Sequence, residues 1–341
     1  MRGRHSRQVL FDGIGAEGQE RIASARVAVV GCGALGTVAA ELLIRAGVAH
    51  LTLIDRDVVE LSNLQRQSLF TERDAAGSRE KALAASAALK EIDSSAQIRP
   101  QVEDLVPRNA ERLLAGHQLI VDATDNFATR FLVNDVAWKL GIPWIYGAAV
   151  GAEGTFGVFR PGLTPCLRCL MESLPPPGTT PTCETSGVIG PATHLVASLQ
   201  VSEALKLLVG AAPMRGIGLV SLWGSAGPSV RSVLANAAPW AACPTCAVSS
   251  YPALAGEGSE FARALCGRNS VQLVPESAQS IDLDALSERL AKAGAVMRGE
   301  ESLTATFEET SITLFRDGRA IVTGTLDPER GRALFSRYVG V

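Results

Sequence analysis

Residues 26–36 read Arg-Val-Ala-Val-Val-Gly-Cys-Gly-Ala-Leu-Gly, a β-branched run that breaks into glycines spaced G-x-G-x-x-G. The run suits a buried strand, and the segment after it, 34–46, is apolar, Ala-rich and stopped by Gly47. Strand, glycine turn and helix in that order form the first βα unit of an open parallel sheet. Working outward, short apolar runs at 50–55, 118–122 and 144–146 alternate with helical patterns at 80–92 and 127–140, the last stopped by Gly141 and Pro143. Fully apolar short strands between helices predict a Rossmann-like α/β fold, a doubly wound and mostly parallel sheet with helices on both faces.

The pattern changes after about residue 147. Residues 154–160 alternate as an antiparallel strand does, and runs at 218–223 and 229–235 extend the sheet in the same style. Between them lie a stretch with four prolines, 173–187, which reads as an exposed loop, and an apolar helix near 192–209. Residues 248–260 have linker composition. Beyond them come strands at 271–274, 303–307, 312–315 and 320–322, and helices at 283–293 and 328–338. We therefore divide the chain into a nucleotide-binding domain over 1–247, a linker over 248–260 and a small α+β domain over 261–341.

Composition removes several classes. Of 341 residues, 47% are hydrophobic and 20% charged, too apolar for a disordered chain. The formal net charge of −3 argues against a nucleic-acid partner. The N-terminus has no apolar signal region, and the most apolar long stretch, 190–209, carries His194, Glu203 and Lys206, so neither export nor a membrane span is expected. Seven cysteines, including two C-x-x-C pairs, point to thiol or metal chemistry in a reducing, cytoplasmic setting.

The glycine turn carries the first chemistry. Gly31, Gly33 and Gly36 allow a tight turn and close backbone approach to phosphate, while the helix N-terminus offers its positive dipole end. Asp55 ends the next strand, where a carboxylate accepts ribose hydroxyls. Alone, these residues make a dinucleotide dehydrogenase the default reading, with a site for another nucleotide next and a purely structural turn last. The polar run after Asp55 shifts the balance. Asp57, Ser62, Asn63 and Arg66 follow it, Lys81 opens a helix, and Asp125 and Asn126 end another strand on the same edge. Two cations able to face a triphosphate, with a carboxylate able to hold Mg²⁺, suit transfer at phosphorus better than hydride transfer. None of the four histidines, His5, His50, His117 and His194, is placed as a general base, and His5 and His117 read as exposed.

Cys166, Cys169, Cys243 and Cys246 form a two-plus-two set, the usual donor set of a closed structural zinc site. Two separate redox pairs are the alternative. Cys183 stands alone in the proline-rich loop, either a bystander thiol or a nucleophile on a mobile segment. Cys32 reads as a small packed residue of the glycine turn, and Cys266 has no evident partner.

Arg7-Gln8, GCGALG (31–36), LTLIDRDVVELSNLQRQ (51–67) and DATDN (122–126), in that order, resemble the ThiF/MoeB/HesA group, bacterial relatives of ubiquitin-activating enzymes. The resemblance continues through GAAVGAEGTFGVFRPGLTPCLRC (147–169), the Cys183 loop and CPTC (243–246), covering about residues 4–247. CGRNSVQ (266–272) and LFRDGRAIVTGT (314–325) resemble the extra domain of longer, Bacillus-type ThiF-like proteins.

The resemblance implies adenylation, with ATP and Mg²⁺, of the C-terminal glycine carboxylate of a ubiquitin-like sulfur-carrier protein. The pathway would be thiamin, molybdopterin or thiolated-tRNA synthesis. It puts Gly31, Gly33, Gly36, Asp55, Asp57, Ser62, Asn63 and Asn126 around the nucleotide, turns Arg66 and Lys81 to the phosphates and gives Mg²⁺ to Asp125. Arg7 would reach the phosphates, often from the second subunit of a homodimer. The resemblance also implies structural Zn²⁺, a later role for Cys183 in acyl or sulfur transfer, and a separate sulfur donor such as a cysteine desulfurase. The chain departs from the group between Arg66 and Lys81, where it is slightly longer. Glu80 stands where many relatives have proline, which makes Arg79 the alternative to Lys81.

Overall fold

The computed structural model describes residues 3–172, 186–225, 227–233, 241–256, 262–265, 269–274, 281–307 and 310–339. The loop residue Cys183 and Cys266 lie outside them.

Eight strands form the first sheet: β1 (Arg26–Val30), β2 (His50–Ile54), β3 (Gln97–Gln101), β4 (Leu119–Asp122), β5 (Trp144–Val150), β6 (Glu153–Phe159), β7 (Ile217–Ser221) and β8 (Ser229–Val233), in the spatial order 3-2-1-4-5-6-7-8. The first five strands in that order are parallel, and β6, β7 and β8 add on antiparallel, as the alternation after residue 147 predicts. The order reverses between β1 and β4. That is the switch point outside whose carboxyl ends open α/β sheets bind ligands.

The sheet separates two cores because successive side chains of a strand face opposite ways. Val27 and Val29 of β1, with Leu119 and Val121 of β4, pack under the helices Gly36–Ala46, Lys81–Ile92 and Gly190–Val209. Ala28, Val30 and Ile120 pack on the other face with the helices Pro107–Leu114 and Phe127–Leu140. Gly47, Gly141 and Gly210 end three of these helices in the left-handed conformation, which costs glycine least.

A second, antiparallel sheet joins β9 (Ala262–Leu265), β10 (Ser270–Leu273), β11 (Ala295–Arg298), β12 (Ser302–Phe307), β13 (Thr310–Phe315) and β14 (Ala320–Thr323) in the order 11-12-13-14-10-9. The helices Leu283–Leu290 and Pro328–Tyr338 complete a third core of their own, with the Phe307 and Tyr338 rings stacked 3.8 Å apart. Asp282 and Asp327 cap these helices by accepting from their first backbone N–H groups.

Two details differ from the sequence expectation. His117 is half-buried rather than exposed: its ring nitrogens sit 3.0 Å from the Leu114 carbonyl and 2.8 Å from Thr52 Oγ1. His5 is likewise half-buried, packed near Gly47. Within the 248–260 stretch, Ala253 is buried in the second core and its N–H donates to Asp135 Oδ2 at 2.8 Å. Among the described residues no helix is long and apolar enough to cross a membrane.

Candidate functional site

The glycine turn leaves β1 with Gly31 at φ 93°, its N–H donating to the Ile54 carbonyl of β2. A Cβ on Gly31 would lie 2.7 Å from the Ala123 carbonyl oxygen, and one on Gly36 would lie 1.8 Å from the Gly31 oxygen. These two glycines are therefore set by packing. Gly33 differs: a Cβ there would meet nothing closer than the Gln67 side chain at 3.9 Å, so its backbone faces open space. The three positions divide as the chemistry requires, two for the turn and one for ligand approach.

Asp55 is held at this loop from both sides. Its Oδ2 accepts from the Cys32 N–H at 2.6 Å and its Oδ1 from the Asp57 N–H at 2.7 Å. Burial raises its carboxyl above the ordinary value; Lys81 pulls it back down and Asp57 pushes it up again. The fixed rotamer leaves each carboxylate oxygen a further lone pair able to accept a hydroxyl.

Lys81 opens the helix Lys81–Ile92, and its Nζ donates to Asp57 Oδ2 at 3.1 Å with the side chain 2% exposed. The lysine is thus neutralised by a carboxylate beside the loop rather than standing free. Asn63 is buried in the 3₁₀ turn Leu61–Asn63, where its Oδ1 accepts from the Glu60 N–H at 3.1 Å. Ser62 bonds Glu60, and Arg66 Nη1 folds back on the Ser62 carbonyl at 3.0 Å. Gln67, also buried, sits nearest Gly33.

Asp122 ends β4 fully buried. Its Oδ1 accepts from the Thr124 N–H and hydroxyl, and Arg130 Nε stands 3.4 Å from its Oδ2. Burial pushes this carboxyl up, against Arg130 and the Thr124 donors. Arg130 Nη2 also donates to the carbonyls of Thr124 and Gly147, so one buried guanidinium ties the turn just before the exposed Asp125 to β5. Asn126, beside it, caps the helix Phe127–Leu140 through the Thr129 N–H. Asp125 is an exposed hard oxygen donor at the switch point, suited to Mg²⁺.

Arg7 stands apart from this set. It lies exposed on the short helix Ser6–Val9, which Gln8 ties to the Ala46 carbonyl at 2.8 Å. Ala46 is the last residue of the helix that Gly36 begins, so the loop is about 15 Å away at ~1.5 Å per residue.

The four cysteines converge. Their Sγ atoms all lie within 4.8 Å of one another, with Cys166 3.5 Å from Cys243 and 3.9 Å from Cys169, and Cys169 3.3 Å from Cys246. A tetrahedron of ~2.3 Å Zn–S bonds has edges of about 3.8 Å, so the donor set fits zinc. Sequence reasoning missed the buried residue beneath it. Asp135 accepts from Arg168 at 3.3 Å and from Thr245 at 2.7 Å, one residue from inside each C-x-x-C pair. Asn134 accepts from the Leu167 N–H at 2.8 Å. The only signal was an amide and a carboxylate, Asn134-Asp135, between the apolar residues Val133 and Val136 of the helix Phe127–Leu140. Arg130 and Gln200, whose Nε2 donates to the Asp122 carbonyl, were missed for the same reason.

The ThiF family model matches residues 5–238. The chain is 42% identical over 341 residues, the full length of both proteins, to the sulfur carrier protein ThiS adenylyltransferase of Bacillus subtilis. It is 39% identical to the sulfur carrier protein adenylyltransferase of Thermus thermophilus, covering 71% of this chain and 90% of that one. Its fold is similar to that of E. coli MccB in the crystal structure with ATP, at a TM-score of 0.61 and 21% identity over 72% of this chain and 75% of that one.

Proposed function

The chain belongs to the ThiF family, and on that premise we propose that it adenylates the C-terminal glycine carboxylate of a ubiquitin-like sulfur-carrier protein. The observation that carries the reading is the pairing of an open Gly33 backbone with a locked Asp55 carboxylate after β1 and β2, with an exposed Asp125 following β4 on the other side of the switch point. The full-length match to a ThiS adenylyltransferase, which spans the C-terminal sheet as well, favours a ThiS-type carrier and thiamin synthesis.

In this reading the backbone around Gly33 and the N-terminus of the following helix cradle phosphate, while Asp55 accepts from the ribose. The carrier's α-carboxylate is ionised at neutral pH and needs no general base. One of its oxygens attacks the α-phosphorus; the acyl–phosphate bond forms as the bond to the leaving pyrophosphate breaks. Arg66 and Lys81 would be the cations that offset charge on the phosphates. Mg²⁺ bound at Asp125 would neutralise phosphate oxygens, and Arg130 holds that carboxylate's turn in place. Asp57 stores Lys81 as an ion pair that a triphosphate could exchange.

Arg7 is too far from its own loop, and the exposed Leu10 and Phe11 beside it offer apolar surface to a second copy. Both support a homodimer in which each Arg7 serves the other subunit. Zinc at the four cysteines would be structural, closed to substrate. Cys183 would act after adenylation, with sulfur delivered by a separate donor such as a cysteine desulfurase in the cytoplasm.

ATP–pyrophosphate exchange with Mg²⁺ and each Gly-Gly-ending carrier of the same genome tests the reading. Exchange that needs one carrier, disappears without its last glycine, and falls at least ~100-fold in a folded Asp125→Ala variant supports it. ATP binding with no exchange on any carrier would leave a nucleotide-binding scaffold instead.

A further inference from the structure

Two neighbouring residue pairs at the rim of the crevice each face two ways. Asp57 and Lys81 bond each other, and both lie close enough to Asp55 and Cys32 to shift their protonation. Their neighbours turn the opposite way, into the C-terminal sheet. Arg56, before Asp57, donates through Nη1 to Asp104 at 2.8 Å and to Gln272 Oε1 of β10 at 2.5 Å. Gln272 Nε2 donates to the same Asp104 carboxylate. Glu80, before Lys81, is fully buried, and its Oε1 accepts from the Glu301 N–H at 2.6 Å and the Ser302 hydroxyl at 2.9 Å.

Backbone bonds weld the two pairs into one patch: the Lys81 N–H donates to the Asp57 carbonyl and the Val59 N–H to the Arg79 carbonyl. Arg319, 2% exposed, adds a further tie to the Val102 carbonyl at 2.8 Å.

Glu80 also occupies the N-cap position of the helix that starts at Lys81, where a carboxylate ordinarily accepts from the helix's own first N–H groups. It makes no such bond. Its accepting oxygen is given to β12 and the turn before it, so the start of the helix, and with it the base of the Lys81 side chain, is fixed by the C-terminal domain. A lysine stem of four rotatable carbons has little to hold its direction except its anchor and its partner.

We propose that the C-terminal domain is a positioning element of the nucleotide site, in which Glu80 and Gln272 set Lys81 and the Arg56–Asp57 pair for the triphosphate. The inference rests on the adenylation reading above only for the identity of the nucleotide.

The test uses the full chain carrying Glu80→Ala, Glu80→Gln, Gln272→Ala or Ser302→Ala, with exchange measured at varied ATP and at varied carrier. Glu80→Ala and Gln272→Ala are expected to raise KM for ATP about five- to tenfold, the change that matches one lost hydrogen bond's worth of placement. KM for the carrier should stay at the wild-type value. Glu80→Gln, whose amide oxygen still accepts, should restore most of the ATP affinity.

If Glu80→Ala does not fold, Gln272→Ala and Ser302→Ala carry the test. Wild-type KM for ATP in all folded variants would overturn the proposal. So would a loss confined to kcat with both KM values unchanged, which marks a smaller folded fraction. Should the wild type show no exchange with any carrier, the adenylation reading fails. Calorimetric ATP affinity of the same variants then still decides the positioning role.

Discussion

Thr245 Oγ1 donates a 2.7 Å hydrogen bond to Asp135 Oδ1 across 110 residues of chain, and both side chains are buried. The same carboxylate accepts from Arg168 and from the Ala253 N–H. Arg168 lies between Cys166 and Cys169, and Thr245 between Cys243 and Cys246. One aspartate on the helix Phe127–Leu140 therefore ties both cysteine turns to a single carboxylate. Asp135→Ala strands the Arg168 guanidinium beside Phe131 without its counter-charge. Breaking such a pair costs about 3–5 kcal/mol. The expected result is a lower denaturation midpoint and faster zinc loss to a chelator, read by a metal-sensitive dye. Wild-type values for both would show that Asp135 does not organise the site.

The three glycines of the turn should separate stability from binding. Gly36→Ala drives a methyl into the Gly31 carbonyl, a backbone atom that cannot move aside, and should destabilise by about 1–3 kcal/mol or more. Gly33→Ala meets only a flexible glutamine side chain and should fold with nearly wild-type stability. Its methyl would instead occupy the space through which phosphate approaches, so the loss appears in KM for ATP. Thermal melts and ATP titrations of both variants check this, and a Gly33→Ala protein that binds ATP normally would move the phosphate site elsewhere.

Acid should weaken nucleotide binding earlier than an ordinary aspartate would dictate. Burial, opposed by Lys81 and reinforced by Asp57, raises Asp55 above its usual 3.8. Because the folded value exceeds the unfolded one, the carboxyl contributes most to stability below ~3.9 and loses that contribution as pH rises through its folded value. Ribose binding has the opposite sign, since it requires the ionised form. Affinity for a non-hydrolysable ATP analogue should therefore decline on the acid side at a pH above 3.8, and Asp55→Asn should bind weakly with that limb absent. An unchanged acid limb in Asp55→Asn assigns it to another group.

What the sequence made legible was local chemistry. Gly31, Gly33, Gly36 and Asp55 lie within one βα unit and its neighbour, where spacing alone fixes their relation, and the C-x-x-C pairs carry their own donor geometry. β3 was not legible: Gln-Ile-Arg-Pro-Gln alternates weakly and contains Pro100, which only an edge strand such as this one tolerates. The helix Pro107–Leu114 spans only about two turns, with Ala110, Leu113 and Leu114 as its buried apolar residues, and β9 and β11 have four residues each, too short for a periodicity to stand out. Asp135, Arg130 and Glu80 were invisible for a different reason. Each is a polar residue whose partners lie far away in sequence, so its role exists only once the fold has brought carbonyls, thiol turns or the second sheet to it.

Arg7 gives the sharpest test of assembly. Gln8 holds its helix at the end of Gly36–Ala46 that points away from the phosphate loop, so an Arg7 that serves catalysis must serve a neighbouring subunit. Arg7→Ala and Asp125→Ala should each abolish exchange as pure homodimers. Mixed and allowed to exchange subunits, half of the dimers become hybrids. Each hybrid holds one site with both residues intact, so activity should return to about a quarter of wild type for a two-fold symmetric dimer. Recovery requires Arg7 to act across the interface, because an Arg7 acting within its own chain leaves every hybrid with a site lacking Asp125 and a site lacking Arg7. A mixture that stays inactive while native mass spectrometry shows hybrid dimers forming would overturn action across the interface and leave Arg7 working within its own chain.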